Sequence, residues 1–438
     1  MSSQEIQIHL NLNDALNSPN DNFNIKKYTF NNNEYDIIKY DKEKLKNIEN
    51  NDDIYKILSK YRSVIVRNNK VVVFSPQKSL NFEKFKNEYN NISECWLEDF
   101  VDGTMINVFY DNINSCWEIA TKSTVGGNIV FFNDIKNYSF FDCDKQYEYY
   151  NNITFRTMFF ETCNANNFDL NNLDKNYSYT FVMQHPFNRI VTPITKPQLY
   201  LIKVYKIDNS NFPNVNIIEK NIQELCNSPP YIFMNTGIQF INKYSINTTL
   251  DDLYLYNTNK QCPYYCLGSI IYNIDGTRTK IRNVNYEEVR KLRGNQPKLQ
   301  YNYLSLKKDN RIKEFLHYYP EHMILFNKFK LLIYNYTNEL FSNYIECFIK
   351  KQKHLKDYDF QYKNHMYHLH QKYINELKPQ NKFVDKKVVI DYINDLHPAQ
   401  QMFVINYKYN SKNNQTTETT ETTQTTETTE TNENMEIN

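Results

Sequence analysis

The residues best suited to chemistry are scattered along the chain. The most basic local stretch is KLRGNQPKLQY (291–301): Arg290, Lys291, Arg293 and Lys298 stand near Tyr301. Clusters of this kind contact RNA backbone phosphates, and a solvated inter-domain linker reads the same way. His365, His368 and His370 fall on a helical run where only 365 and 368 share a face. Without a third partner they read as surface or core histidines rather than metal ligands. Cys262-x3-Cys266 lacks a second pair at zinc-finger spacing, and Cys266 reads as packed in its strand. His185, in QHPFNR, suits a local hydrogen bond at a turn, with no nucleophile beside it. Asp102-Gly103, inside WLEDFVDGTMINVFYD (96–111), makes a tight turn of the sort hairpins use.

Positioning these residues requires two kinds of element. From about 61 to 305 the pattern is mostly β. YRSVIV and KVVVF flank Arg67-Asn68-Asn69, MINVFYD and CWEIATKS flank 112–115, and YYCLGSIIYN and TRTKIRN flank Asp275-Gly276, a strong hairpin signal. TFRTMFFETCN (154–164) has helical spacing and is followed by the strands YSYTFVMQ and LYLIKVYKI. From 309 to 380 the period becomes helical, with Ile312, Phe315, Leu316, Tyr319, Met323 and Phe326 at three- and four-residue steps. The expected fold is α+β: an antiparallel-sheet domain over 56–305, preceded by an extension (1–55) and followed by an all-helical domain (306–408). The Thr/Glu tract 409–438 has nothing to bury and is expected to be disordered.

Composition excludes some classes. At 438 residues the chain can form two or three cores, and its net charge of +1 creates no global field for nucleic acid or membrane. The 37 Tyr, abundant Asn and only 7 Gly reflect codon bias and are not read as stacking platforms. Scattered cysteines and a polar start predict a reduced, intracellular (cytoplasmic) protein. The apolar run 323–349 carries Lys328, Lys330, Glu339 and Glu346, too many charges for a membrane span.

Five segments taken in order resemble the phage-type RNA ligases that reseal broken tRNA, within the nucleotidyltransferase superfamily. YRSVIVRNNKVVVFSPQKSLNFEKF (61–85) is similar to the family's Arg-Gly strand and hairpin, with Arg62 as the arginine and Ser63 for glycine. FVDGTMINVFYD resembles the Lys-x-Asp-Gly motif. WEIATKSTVGG (117–127) looks like the next strand, with Lys122 as its lysine. TFVMQHPFNRIV and CLGSIIYNIDGTRTKIRN resemble strands carrying a motif glutamate and a Lys-x-Lys pair. The resemblance implies ATP as cofactor and RNA or a nucleotide as partner. It implies nucleotide or phosphate contacts at Arg62, Asp102, Gly103, Lys122, Lys280 and Arg282.

In such ligases a neutral lysine attacks the α-phosphate of ATP, carboxylates hold a divalent metal, and cations neutralise phosphate charge. Here the lysine position is Phe100, and the glutamates fall on Val182 and Leu267. The implied cations survive; the nucleophile and metal ligands do not. The expected protein is a divergent, ligase-like pseudoenzyme that binds nucleotide or RNA ends without lysyl-AMP. Two alternatives stand beside it: a working ligase with Lys122 as displaced nucleophile, and an interaction or structural protein of a large DNA virus on the same scaffold.

Overall fold

In a computed structural model, residues 5–16, 22–47, 52–130 and 153–417 are described. Alternating inward and outward side chains build the strands, as in QLYLIKVYKID (Gln198–Asp208), where Leu199 and Leu201 are buried and Tyr200 and Ile202 are half-buried. A seven-stranded sheet runs in the order Ile6–Asn11, Asn214–Glu219, Gln198–Asp208, Tyr177–Gln184, Thr104–Asp111, Cys116–Ala120. It is antiparallel apart from Gln239–Phe240, which pairs parallel with Gln198–Asp208. A four-stranded sheet joins Phe23–Phe30, Asn33–Tyr40, Val64–Arg67 and Lys70–Phe74. A third joins Lys243–Ser245, Cys95–Asp99, Gly268–Asn273 and Arg278–Arg282.

The tight turns explain part of the asparagine excess. Asn31, Asn32, Asn68 and Asn69 all have positive φ, at 49, 60, 46 and 56°. Consecutive left-handed residues match the twist of a two-residue hairpin, and asparagine tolerates that region better than other side chains. In a glycine-poor chain, asparagine takes the turn positions.

The described strands within 1–55 do not form a separate extension. Ile6–Asn11 forms an edge of the seven-stranded sheet, paired with Asn214–Glu219, and two of the four strands in the second sheet lie between residues 23 and 40. One hydrophobic core then draws on Ile8, Ile38, Val64, Phe74, Val215 and Ile281 together. A buried ion pair between Arg67 and Asp111 ties the four-stranded sheet to the seven-stranded one.

The described residues fall into two compact units, with the division after Lys291. The second unit begins earlier than the expected 306, because helix Leu299–Lys308 belongs to the helical packing: Gln300 and Asn406 exchange side-chain hydrogen bonds of 3.3 and 2.7 Å. Its long helix Met323–Tyr344 buries Phe326, Phe329, Ile333, Tyr336, Leu340 and Tyr344, the stripe expected of an amphipathic helix. No helix among the described residues is long and apolar enough to cross a membrane. Helix Pro398–Thr417 runs into the segment expected to be a disordered tail; residues 418–438 lie outside the described residues.

Candidate functional site

The site is built on one strand of the first unit. In Arg278–Arg282 the alternation R-T-K-I-R places Arg278, Lys280 and Arg282 on one face, while Thr279 and Ile281 (0 and 2% exposed) face the core. Pairing with Gly268–Asn273 fixes the register, Tyr272 opposite Arg278 and Gly268 opposite Arg282. Glycine is required there: φ is +134°, and a Cβ would lie 2.1 Å from the Ile281 carbonyl oxygen.

Three further pieces bring cations to that face. Residues 78–81 run alongside the strand, held by Leu80 N donating to the Arg278 carbonyl (2.8 Å) and Thr279 Oγ1 to the Leu80 carbonyl (3.0 Å). That contact delivers Lys78. Arg62 precedes Val64–Arg67, where Ser63 Oγ donates to the Lys122 carbonyl at 2.9 Å. Helix Lys42–Asn47 buries Leu45 and presents Lys42 and Lys46, four residues apart. The result is a cavity of ≈ 600 Å³ lined by Lys42, Lys46, Arg62, Lys78, Arg278, Lys280 and Arg282, with no aspartate or glutamate among the described residues of its lining.

These cations are not equivalent. Arg278 is buried, and its guanidinium donates to the carbonyls of Gln77 (3.0 and 2.6 Å) and Pro76 (3.3 Å) and to Tyr272 Oη (3.0 Å), so it holds the wall together. Arg282 is paired with Glu287 at 2.6 Å. Lys280 makes no ion pair among the described residues; its ammonium group lies 4.8 Å from the centroid of the Phe100 ring. Burial first, and then the facing charges of Arg278, Arg62, Arg282 and Lys78, push its amine well below the ordinary 10.5.

That depression has a sign. Between its folded and unfolded pKa values, Lys280 binds fewer protons folded than unfolded, so its contribution to stability rises with pH across that window. An anion in the cavity favours the protonated form, so affinity for phosphate should fall as pH rises above the depressed pKa. Limited amine acylation at pH 8, read by peptide mapping, should modify Lys280 ahead of the exposed Lys70. Modification of Lys70 first would show that Lys280 is charged like a surface lysine.

The other expected residues lie elsewhere. Lys122 is outside the lining, with its Nζ 5.9 Å from the ring of Tyr40, which does line the cavity. Asp102 and Gly103 are also outside it. The Asp102 carboxylate is buried and accepts from Val191 N (3.2 Å), Thr192 N (2.9 Å) and Tyr286 Oη (2.8 Å). A Cβ on Gly103 would meet the Met183 carbonyl oxygen at 2.6 Å. The pair thus fixes the junction between Thr104–Asp111 and Tyr177–Gln184, with Gln184 Nε2 donating to the Asp102 carbonyl at 2.8 Å. Phe100, Val182 and Leu267 are 9, 3 and 3% exposed, packed rather than open to the cavity.

Sequence reasoning missed Lys42, Lys46, Lys78 and Arg278. Arg278 was legible as the first member of R-x-K-x-R, and Lys42 with Lys46 as a helical i, i+4 pair. Lys78 carried no signal, because its place depends on pairing with a strand two hundred residues away in sequence.

Remaining candidates have structural partners. His185 Nδ1 accepts from Phe187 N (3.3 Å) at its turn, and its Nε2 lies 3.2 Å from Glu161. His365 bonds Tyr392 Oη at 2.8 Å, and His370 stacks on Phe348 at 3.9 Å. Among the described residues, no group of three or more His, Cys, Asp or Glu side chains is placed to hold a metal. In the basic stretch, Arg290 lies 3.4 Å from Glu287 and Arg293 is 6% exposed, which removes it from a solvated linker.

No protein-family model and no curated protein matches the chain. Solved structures do. An RNA ligase of Naegleria gruberi, a mutant with AMP and Mn, is similar at 10% identity over 66% of this chain and 87% of that one, with a TM-score of 0.32. A further mutant of that ligase, with ATP and Mn, is similar at 10% identity over 66% and 86%, with a TM-score of 0.31. A putative ATP-dependent DNA ligase from Aquifex aeolicus is similar at 13% identity over 80% and 77%, also with a TM-score of 0.31. At these TM-scores the likenesses fix neither residue roles nor an activity.

Proposed function

We propose that the first unit is an RNA ligase-like nucleotidyltransferase-fold domain that binds the phosphates of a nucleotide or RNA 5′ end in the basic cavity, without forming lysyl-AMP. One observation carries this reading: among the described residues, seven cations and no carboxylate line one cavity in a chain whose net charge is only +1. Crowding like charges is unfavourable until an anion joins them, so the arrangement favours a polyanionic ligand. Charge-assisted hydrogen bonds to phosphate contribute about 1.5–3 kcal/mol each. ATP suits the donor set through its triphosphate. A divalent metal does not, because the lining offers it no oxygen anion. Titration with a fluorescent ATP analogue and with 5′-phosphorylated RNA tests the reading. Saturable binding of either ligand supports it, and binding of neither hands the protein to the interaction or structural alternative.

A second reading is a displaced nucleophile, and the Lys280 environment favours it over the Lys122 position. The lowered pKa of Lys280 makes its unprotonated amine easier to reach, and attack on an α-phosphorus demands that form: a P–N bond forms, a P–O bond breaks, and pyrophosphate leaves. The packed Phe100 ring beneath it, and the absence of any acid in the lining, favour binding alone. Incubation with labelled ATP and Mg²⁺ or Mn²⁺ should therefore leave no AMP on the denatured protein. A labelled band mapping to Lys280 would establish the second reading.

A further inference from the structure

Among the described residues, Lys280 is a cavity cation with no counterion, and strand register accounts for the missing partner. It is the middle residue of Arg278–Arg282, half-buried, with Arg278 and Arg282 on the same face two residues to either side. Ile270 stands opposite Lys280, and Glu98 stands opposite Ile270. The acid in that row is therefore two strands away, about 10 Å at ordinary strand spacing. Glu98 is itself taken by Lys203 (3.4 Å) and by Trp96 Nε1 (2.9 Å). Glu287 is taken by Arg282 at 2.6 Å. The ring centroid of Phe100, which offers no carboxylate, lies 4.8 Å from Lys280 Nζ.

We propose that Lys280 condenses with aldehydes that carry a nearby phosphate, forming an imine in the basic cavity. This assignment rests on the phosphate reading above, because the neighbouring cations must first hold the ligand's phosphate. Arg62, Lys78 and Arg282 line the same cavity and supply donors for it. The bound phosphate keeps the aldehyde beside the amine, and proximity raises its effective concentration. Crowding by cations favours the uncharged amine, in line with the lowered pKa of Lys280, and only that form attacks carbon. The amine nitrogen adds to the carbonyl carbon, and the carbonyl oxygen takes up a proton. The carbinolamine then loses water as the C=N bond forms; nothing is oxidised or reduced. Attack on an α-phosphorus must expel pyrophosphate, whereas this step expels only water and asks for no metal and no carboxylate. The chemistry has two sources: small phosphorylated aldehydes, and a ring-opened abasic nucleotide, whose aldehyde is flanked by the phosphates of its strand.

The test incubates the full chain with two probes in separate arms: pyridoxal 5′-phosphate, and a single-stranded oligonucleotide with an abasic site. Borohydride reduces any imine to a stable amine, and chymotryptic digestion locates it. Peptide 273–286, bounded by Tyr272 and Tyr286, contains Lys280 as its only lysine. The reduced adduct should appear there in at least one arm, ahead of the chain's other lysines, and inorganic tripolyphosphate should suppress it. Pyridoxal, which lacks the phosphate, should label Lys280 at least about tenfold less, the factor that one charge-assisted contact supplies. Three results would overturn the proposal: adducts spread over exposed lysines without enrichment at Lys280, equal labelling of Lys280 by pyridoxal and its phosphate, or an adduct that tripolyphosphate leaves unchanged. Binding of the fluorescent ATP analogue with no adduct in either arm overturns the imine and leaves the phosphate reading standing. Absence of both overturns both. Every readout comes from the wild-type chain, so no variant has to fold.

Discussion

Replacing Lys280 and Arg282 together by alanine should weaken binding of a 5′-phosphorylated RNA or ATP analogue more than tenfold. Each change deletes a phosphate partner worth about 1.5–3 kcal/mol. Arg282 is already neutralised in part by Glu287, so its share is discounted, and Lys280 carries most of the loss. The variant should fold at least as well as the wild type, because removing Lys280 relieves its crowding against Arg62, Lys78 and Arg278. Arg278 is the wrong residue for this test, since its guanidinium holds the backbone of residues 76 and 77. Lys70→Ala, on an exposed hairpin, is the control for removing a cation away from the cavity. Fluorescence anisotropy with the three proteins reads the difference; equal affinity in double variant and wild type would remove the cavity from the function.

Asp102→Ala should act on stability instead. It leaves Val191 N, Thr192 N and the Tyr286 hydroxyl without their acceptor, in surroundings where Val191 and Tyr286 are 0 and 1% exposed. Each unsatisfied buried donor is worth about 1–3 kcal/mol, so the sum over three donors is about 3–9 kcal/mol, a large fraction of a domain's usual margin. Asp102→Asn keeps one acceptor oxygen and should lose less. Urea denaturation of the three proteins gives the values. A loss below about 1 kcal/mol for the alanine variant would mean that water or local movement replaces the carboxylate, and would reopen a ligand role for it.

These two residues show what the sequence could and could not yield. Hairpins were legible where turn chemistry is local, at Asn68-Asn69 and Asp275-Gly276, and so was the buried stripe of Met323–Tyr344. Residues 6–40 were not, because their strands find partners at 64–67 and 214–219, a fact of tertiary pairing. At the site, Arg62, Lys280 and Arg282 were expected together and do share one cavity. Asp102 was expected beside them, yet an Asp-Gly turn reads identically whether its carboxylate faces a ligand or caps buried backbone amides. Lys122 lies one side chain away from the cavity, a distance that strand periodicity cannot resolve.

Metal dependence tests the central claim most directly. A lining whose described residues include seven cations and no carboxylate should bind phosphate by charge alone, with affinity falling steeply as salt rises because counterions are released. The measurement is a titration of wild-type protein with the ATP analogue at two salt concentrations, once with EDTA and once with Mg²⁺. Equal binding with EDTA and with Mg²⁺, weakened sharply by salt in both, is the expected result. Binding that requires Mg²⁺ and is indifferent to salt would contradict it.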